Sequence, residues 1–190
     1  MKKIVLVVLS MAFGFGISEA QVDKSFYQKS YESRNNGTFD QSTSLLSFGL
    51  GVPSYFSYGT HSPTLYGKYE HGFLRDEVGL GGYLGAGWGS YDDAGGNDYD
   101  FTAFSFAVLG YYHFNKIIPV EKLDVYAGAG FGFSTFKGDE YQGGPDLDNS
   151  GVIFVVKVGV RYYIVNNFAV YAESGYDDLS SINFGGTFRF

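Results

Sequence analysis

The chain has 190 residues, a length that suits one domain, and its 45% hydrophobic and 19% aromatic content excludes a disordered chain. It contains no cysteine, which excludes a disulfide scaffold, a cysteine-based zinc site and a thiol nucleophile. The formal net charge of -7 argues against nucleic acid as a partner, because binding to phosphates requires a clustered basic surface.

The first twenty residues have the pattern of a secretory signal peptide. Lys2 and Lys3 precede the apolar run 4–17, and the stretch 18–20 places small residues at the two positions that a signal peptidase reads. The run is shorter than the ~18–20 apolar residues that span a bilayer as a helix, so an uncleaved membrane anchor is the weaker alternative. We therefore expect residues 1–20 to be removed during export. The polar stretch 21–41 is predicted to be a tail or an irregular N-terminal segment.

Apolar and small or polar residues alternate with a period of two from about residue 42 to the C-terminus, which is typical of β-strands. Long and short connections also alternate, as they do in an up-and-down barrel with one elaborate end and one plain end. The connection 115–123 is long although it falls at the plain end, and it is expected to contain a helical turn. We predict an all-β fold, an eight-stranded antiparallel up-and-down barrel over residues 42–190, with strands near 43–52, 64–73, 77–88, 101–114, 124–136, 151–163, 168–176 and 181–190.

The chemistry of the two strand faces indicates which face lies outside. One face is continuously apolar, whereas the other carries glycine, tyrosine and serine with few charges, which would make a poor solvated surface. Small and aromatic residues suit the narrow lumen of an eight-stranded barrel. The apolar face is therefore predicted to contact lipid, which makes the barrel a transmembrane one. Aromatic residues near the strand ends are expected to form the interfacial girdles, namely Trp88, Phe101, Tyr112, Phe114, Tyr162, Phe168 and Tyr176.

A few charged residues fall on the lumen face, where an unpaired charge is costly. We therefore predict a lumen charge network that plugs the barrel with salt bridges; a path that conducts ions through the same residues is the alternative. The predicted members are Lys68, Glu70, Lys157, Arg161, Glu173 and Arg189.

Acidic residues concentrate in three connections that are assigned to the cell surface. A solvated acidic surface is the favoured interpretation, and binding of Ca²⁺ the alternative, because hard cations prefer several oxygen ligands. The spacing matches no known calcium loop, so the sequence predicts neither a metal site nor a cofactor. The residues are Asp92, Asp93, Asp98 and Asp100 in the first connection, Asp139, Glu140, Asp146 and Asp148 in the second, and Asp177 and Asp178 in the third.

The last strand carries a pattern that resembles the terminal signal by which bacterial outer-membrane barrels are recognised for insertion. Asn183 is followed two positions later by Gly185, and Phe188 and the terminal Phe190 are predicted to point outward. Residues 42–190 as a whole resemble the small outer-membrane β-barrel family of the OmpA/OmpX type, with matching strand-end patterns at 69–72, 80–83, 111–114 and 172–176.

This resemblance implies a monomer in the bacterial outer membrane, with outer-membrane lipid and the barrel-assembly machinery as partners. The chain ends at its last strand, so we expect no C-terminal peptidoglycan-binding domain. The predicted function is non-enzymatic: a structural or surface-interaction role in the cell envelope, with an unnamed surface ligand.

Two alternatives belong to other classes. A lipid-modifying outer-membrane enzyme would need a histidine beside a serine near the lipid interface. The contexts of His61, His71 and His113 do not supply that arrangement with a supporting acid. A soluble, lipocalin-like ligand binder is disfavoured by the glycine-rich inner face and the terminal phenylalanine.

Overall fold

Antiparallel strands account for nearly all of the computed structural model, which describes residues 38–54, 60–92, 98–138 and 149–190. The strands of this described part are β1 Ser44–Pro53, β2 Thr60–His61, β3 Thr64–Phe73, β4 Arg75–Asp92, β5 Asp98–His113, β6 Leu123–Gly138, β7 Asn149–Val165, β8 Phe168–Tyr176 and β9 Ser180–Arg189. The predicted signal peptide, and residues 21–37 of the predicted N-terminal segment, lie outside the described residues.

The eight long strands form one closed sheet. Each pairs in antiparallel fashion with its neighbours in sequence, and β1 closes the barrel by pairing with β9, with Leu46 opposite Phe188. The two-residue strand β2 pairs with the far end of β4. The predicted fold class, an eight-stranded antiparallel β-barrel, is therefore confirmed. Among the described residues, no helix is long and apolar enough to cross a membrane.

The β4–β5 and β6–β7 hairpins extend further than the sequence pattern predicted. β4 continues to Asp92 and β5 starts at Asp98, and these two residues are register partners. Asp92, Asp98 and Asp100 therefore lie in strands, and the prediction that they belong to a loop was wrong. Backbone pairing in a hairpin needs no apolar face, so strands continue past the point where alternation ends. Asp93 and the second acidic group, 139–148, lie outside the described residues.

The connections from β3 to β4, from β5 to β6 and from β7 to β8 share one end of the barrel with the start of β1 and the end of β9. Leu74 joins β3 to β4 with a left-handed φ of 62°, and the connection from β5 to β6 is held at its start by Phe114. The Phe114 carbonyl accepts hydrogen bonds from the backbone N–H groups of Ile117 (2.8 Å) and Ile118 (2.7 Å). The expected helical turn is thus a single hydrogen-bonded turn. We call this end of the barrel, where β1 starts and β9 ends, the terminus end, and we call the opposite end the loop end.

The two faces of the wall separate as the alternation predicted. In β7 the side chains of Phe154, Val156 and Val158 are exposed on the outer wall, whereas Lys157 and Arg161 are buried. One predicted girdle residue was wrong: Phe101 is only 3% exposed. The odd-numbered residues of β5 point into the barrel, so Phe101 packs in the lumen near the loop end instead of facing outward.

Glycines on the inner wall make room for tyrosine rings from neighbouring strands. A Cβ atom at Gly159 would collide with the phenol ring of Tyr126, its register partner on β6, and a Cβ at Gly128 would collide with Tyr111 on β5. Gly110, on the outer wall, has no atom within 4 Å of such a position. Gly159 and Gly110 therefore differ in what a methyl group would meet.

This difference predicts opposite effects of the same substitution at two positions. Gly159→Ala is expected to reduce the free energy of unfolding by ~1–3 kcal/mol, because the added methyl group overpacks against Tyr126. Gly110→Ala is the matched control and should be neutral or stabilising by up to ~1 kcal/mol, because alanine costs less backbone entropy in a strand. Urea unfolding in detergent micelles measures both; equal losses would contradict the packing argument.

Candidate functional site

A cluster of four charged side chains, which we call the His–Arg cluster, lies in the lumen towards the terminus end. It consists of Glu70 on β3, His113 on β5, Asp124 on β6 and Arg161 on β7, all buried. His113 Nε2 is 2.6 Å from Glu70 Oε1, and His113 Nδ1 is 2.7 Å from Asp124 Oδ1. Arg161 Nη2 donates to Glu70 Oε2 at 2.6 Å and Nη1 donates to Asp124 Oδ2 at 2.9 Å.

The cluster is a closed ring in which each carboxylate bridges the imidazole and the guanidinium. Both ring nitrogens of His113 face carboxylate oxygens, which accept and do not donate hydrogen bonds. The geometry is therefore that of an imidazolium with two N–H donors. Two cations then balance two anions, which is the condition under which charges tolerate burial.

A second cluster, which we call the Lys cluster, lies nearer the loop end. Lys68 Nζ donates to Glu173 Oε1 at 2.9 Å. Lys157 Nζ donates to Asp177 Oδ2 at 2.5 Å and lies 3.9 Å from Glu173. Asp177 also accepts a hydrogen bond from the hydroxyl of Tyr66 at 2.7 Å. These two lysines and two carboxylates again balance in charge.

Tyr126 joins the two clusters. Its hydroxyl donates to Glu173 Oε2 at 3.0 Å, and the guanidinium carbon of Arg161 lies 4.0 Å from the centre of its ring. The aromatic face therefore stabilises the cation of one cluster while the hydroxyl satisfies the anion of the other. Lys68 lies in the same way 4.1 Å from the ring centre of Tyr171.

The structure brings five of the six predicted lumen residues into these two clusters: Lys68, Glu70, Lys157, Arg161 and Glu173. The sixth, Arg189, lies apart from them. Its Nη1 donates to the backbone carbonyl of Thr38 at 3.2 Å, and its guanidinium lies over the ring of Tyr163.

The prediction for Asp177, in the third acidic connection, was wrong. This residue was predicted to be solvated at the surface, but it is fully buried. Its Oδ1 accepts hydrogen bonds from the backbone N–H groups of Leu179 (3.0 Å) and Ser180 (2.8 Å), so the turn between β8 and β9 directs its other oxygen to Lys157. Asp178, which has a left-handed φ of 70°, is half-buried and accepts from Ser134 Oγ. This turn therefore belongs to the lumen as much as to the surface.

The described part of the N-terminal segment packs onto the terminus end of the lumen. Phe39 is 1% exposed, and its ring stacks on the His113 imidazole with 3.6 Å between centroids and 9° between planes. Asp40 forms the turn that follows: its carboxylate accepts from the Ser42 backbone N–H (2.8 Å) and hydroxyl (2.7 Å), and these hydrogen bonds lower its pKa. Gly72 N–H then donates to Thr43 O at 2.9 Å. The position of Phe39 was not predictable, because the segment has no periodic pattern.

The predicted assembly residues occupy β9 and the chain end. Asn183 is buried, and the amide orientation that satisfies its neighbours has its oxygen accepting from Lys157 Nζ at 3.0 Å. Gly185 is the register partner of Gly49 on β1. Phe188 and Phe190 are exposed on the outer wall, at 49% and 71%. The backbone of Phe190 exchanges two hydrogen bonds of 3.0 Å with Ser44, so the last residue takes part in closing the barrel.

The remaining histidines do not form a complete catalytic group. Ser44 Oγ lies 2.9 Å from His71 Nδ1 at the terminus end of the outer wall, and the described contacts give His71 no carboxylate partner. His61 lies in β2, and its side chain is outside the described residues. Within the described part of the chain, no group of three acidic, histidine or cysteine side chains has the geometry to hold a metal ion.

Comparisons with known proteins identify the fold. No protein-family model matches the chain, and no curated protein is similar to it in sequence. Among solved structures, the outer membrane protein OprG of Pseudomonas aeruginosa matches with a TM-score of 0.55 at 8% identity, over 81% of this chain and 98% of OprG. The attachment invasion locus protein Ail of Yersinia pestis matches with a TM-score of 0.50 at 17% identity, over 80% of this chain and 99% of Ail.

The N-terminal β-barrel domain of Pseudomonas aeruginosa OprF matches with a TM-score of 0.43 at 20% identity, over 80% of this chain and 99% of that domain. The pairing of β1 with β9 makes the described chain a small closed β-barrel, and OprG and Ail share this fold. Its fold is that of the eight-stranded outer-membrane barrels, the group to which the resemblance in its sequence pointed.

The geometry of the two clusters predicts which carboxylate is coupled to Arg161. Arg161→Gln should reduce the free energy of unfolding by ~3–5 kcal/mol, because it removes one of the two cations that balance the two buried carboxylates. Combined with Glu70→Gln, the losses should be non-additive by ~0.5–3 kcal/mol. Combined with Glu173→Gln they should be nearly additive, because Glu173 pairs with the two lysines. Double-mutant cycles in micelles measure both couplings; a stronger coupling to Glu173 would contradict the assignment.

Proposed function

We propose that the chain is a monomeric, non-enzymatic protein of the bacterial outer membrane, which reinforces the envelope and carries a surface for interactions on a rigid, closed barrel. Export by a cleaved signal peptide and insertion by the barrel-assembly machinery belong to the proposal. The apolar outer wall of the barrel is the observation that carries it.

The outer wall is apolar on every long strand. Leu84, Val108, Phe131 and Val152 are exposed by 59%, 62%, 67% and 79%, and many similar residues surround them. A water-soluble monomer rarely exposes a contiguous apolar patch larger than a few hundred Å². A belt of this kind supports a lipid environment and argues against the lipocalin-like alternative, in which the apolar side chains would face inward.

The filled lumen supports a structural role over transport. Two charge-balanced clusters and the rings between them occupy the interior, and Phe39 covers the His–Arg cluster at the terminus end. An eight-stranded barrel is only wide enough for side chains, so these groups leave the lumen no room for an aqueous channel. The interior is thereby suited to holding the wall rigid.

The histidine geometry argues against the enzyme alternative. A general base needs a ring nitrogen that can accept a proton, whereas both nitrogens of His113 are held by carboxylates. Ser44 and His71 form a pair, but the third group that orients the base in a catalytic triad is missing from their described contacts. Because neither histidine pair forms a catalytic group, we assign the proposed function to interactions at the outside of the barrel.

Arginine substitutions on the outer wall test the lipid environment. Val156→Arg in the middle of β7 should cost ~2–4 kcal/mol of folding free energy in lipid vesicles, because it places a cation near the bilayer centre. Ile164→Arg, on the same wall at the terminus end, is the matched control and should cost ~0–1 kcal/mol. Folding titrations in vesicles, read by the mobility difference between unheated and boiled samples, measure both. A silent Val156→Arg would overturn the membrane assignment.

The chain end tests insertion by the assembly machinery. Phe190→Ala keeps the backbone bonds to Ser44 but removes the terminal aromatic ring, so we expect less protein in the outer membrane and more periplasmic degradation. Phe184→Ala, also an exposed ring on β9, is the matched control. Quantitative immunoblots of membrane fractions, beside refolding of both variants in micelles, separate assembly from stability. Equal membrane levels of the two variants would contradict the role of Phe190.

A further inference from the structure

A groove of about 510 Å³ lies on the outer wall near the loop end, between β4, β5 and the segment that joins β2 to β3. We call it the Trp88 groove. The side chains that give it its chemistry are Ser62, Trp88, Ser90, Asp100 and Thr102.

The register of the β4–β5 hairpin assembles four of these residues into one block. Trp88 is opposite Thr102, and Ser90 is opposite Asp100. Residues two apart on a strand share a face, and opposite residues have Cβ atoms about 4.5–5.5 Å apart, so the four side chains stand together on the outer wall.

Ser62 fixes the position of Trp88 from the other side. Its hydroxyl donates to the backbone carbonyl of Trp88 at 2.6 Å and accepts from the backbone N–H of Trp88 at 3.0 Å. The backbone N–H of Ser62 donates to the same carbonyl at 2.9 Å. Pro63, which cannot donate to a ladder, follows at the break between β2 and β3. Ser62 thus completes the backbone hydrogen bonds of Trp88 at this break, and it holds the backbone of Trp88 in place.

The lining combines an aromatic surface with hydrogen-bonding groups of both kinds. The indole of Trp88 is 50% exposed and offers an apolar face with one N–H donor. Asp100 accepts hydrogen bonds, and the hydroxyls of Ser90 and Thr102 donate and accept, whereas the Ser62 hydroxyl is engaged with the Trp88 backbone. A hydrocarbon chain would leave these polar groups unmatched, and the Asp100 carboxylate would repel an anion. A sugar ring fits both features, because it has an apolar C–H face and a rim of hydroxyls.

The groove also lies at the level where the outer wall changes from apolar to polar. On β5 the outward series passes from Phe106 and Phe104 to Thr102 and Asp100, and on β7 it passes from Val152 to Ser150. In a membrane, this boundary is the level of the lipid headgroups.

The geometry points to the Trp88 groove as a binding site for the sugar headgroup of a glycolipid in the surrounding outer leaflet, an inference that rests on the proposed membrane function. Trp88 stacks on the apolar face of the sugar, and Asp100 accepts hydrogen bonds from its hydroxyls. The site lies on the outer wall of the barrel, separate from the two charged clusters of the lumen.

Trp88 is the single tryptophan of the chain, so its fluorescence reports on this groove alone. The experiment titrates delipidated and dephosphorylated core oligosaccharide of lipopolysaccharide, so that no phosphate faces Asp100, into the full-length protein refolded in detergent micelles. A saturable change in Trp88 emission is expected. Asp100→Ala should weaken the apparent affinity about tenfold or more, because a hydrogen bond to a charged acceptor is lost. Thr102→Val is a second variant with a smaller expected loss. Ser150→Ala, at the same level but away from the groove, is the matched control and should leave the titration unchanged.

Other outcomes would overturn the inference. An absence of saturable change, or an unaltered titration with Asp100→Ala, would do so. Equal emission changes with phosphatidylglycerol and with intact lipopolysaccharide would make Trp88 a general interfacial anchor. Failure of the proposed membrane function and failure of the glycan site are distinguishable in the same samples. Loss of the heat-dependent mobility shift would show that the proposed membrane function fails, whereas a normal shift without an oligosaccharide response would overturn the glycan site alone.

Discussion

The narrow lumen brings buried charges together across the barrel as well as between neighbouring strands. Lys68 on β3 reaches Glu173 on β8, and Arg161 on β7 reaches Glu70 on β3, so each pair connects strands that are not neighbours in the sheet. A slip of one residue in β3, β7 or β8 would turn its charged side chains towards the outer wall. The pairs therefore help to specify the register of these strands, in addition to any contribution to stability, which for a buried ion pair is modest in net terms.

The same narrow space accounts for the inner glycines. Tyrosine rings pack in the buried interior beside the two clusters, and a ring on one strand needs a neighbour without a side chain. Gly159 beside Tyr126 and Gly128 beside Tyr111 meet this need. Tyr126 in turn holds the Arg161 cation against its face and donates to Glu173. Glycine, aromatic ring and charge thus form one packed unit, in which each member is in place because of the other two.

The strands and the direction of their faces were predictable from the sequence, because a period of two fixes both. The same parity would have found His113 and Asp124, which lie on the inner face of β5 and β6. The partners of each charge were not predictable, since Glu70 and Arg161 are 91 residues apart and meet only through closure of the sheet. The positions of Asp177 and Phe39 were not predictable for a different reason. A turn orients the side chain of Asp177 and an irregular segment orients that of Phe39, and no periodic pattern in the sequence indicates either.

The balance of charges within the lumen limits where the protein can interact with other molecules. Each cluster contains as many cations as carboxylates when His113 is charged, and their polar atoms are largely occupied by one another. Phe39 covers one cluster, and Tyr66 and the Asp177 turn complete the other. Groups that are already paired and dehydrated offer little to a ligand. Binding at the Trp88 groove would therefore use the polar groups that strand pairing leaves exposed on the outer wall, at the boundary where the apolar belt ends. The charged interior holds that wall in register, and the wall in turn fixes the distances between the indole, the carboxylate and the hydroxyls.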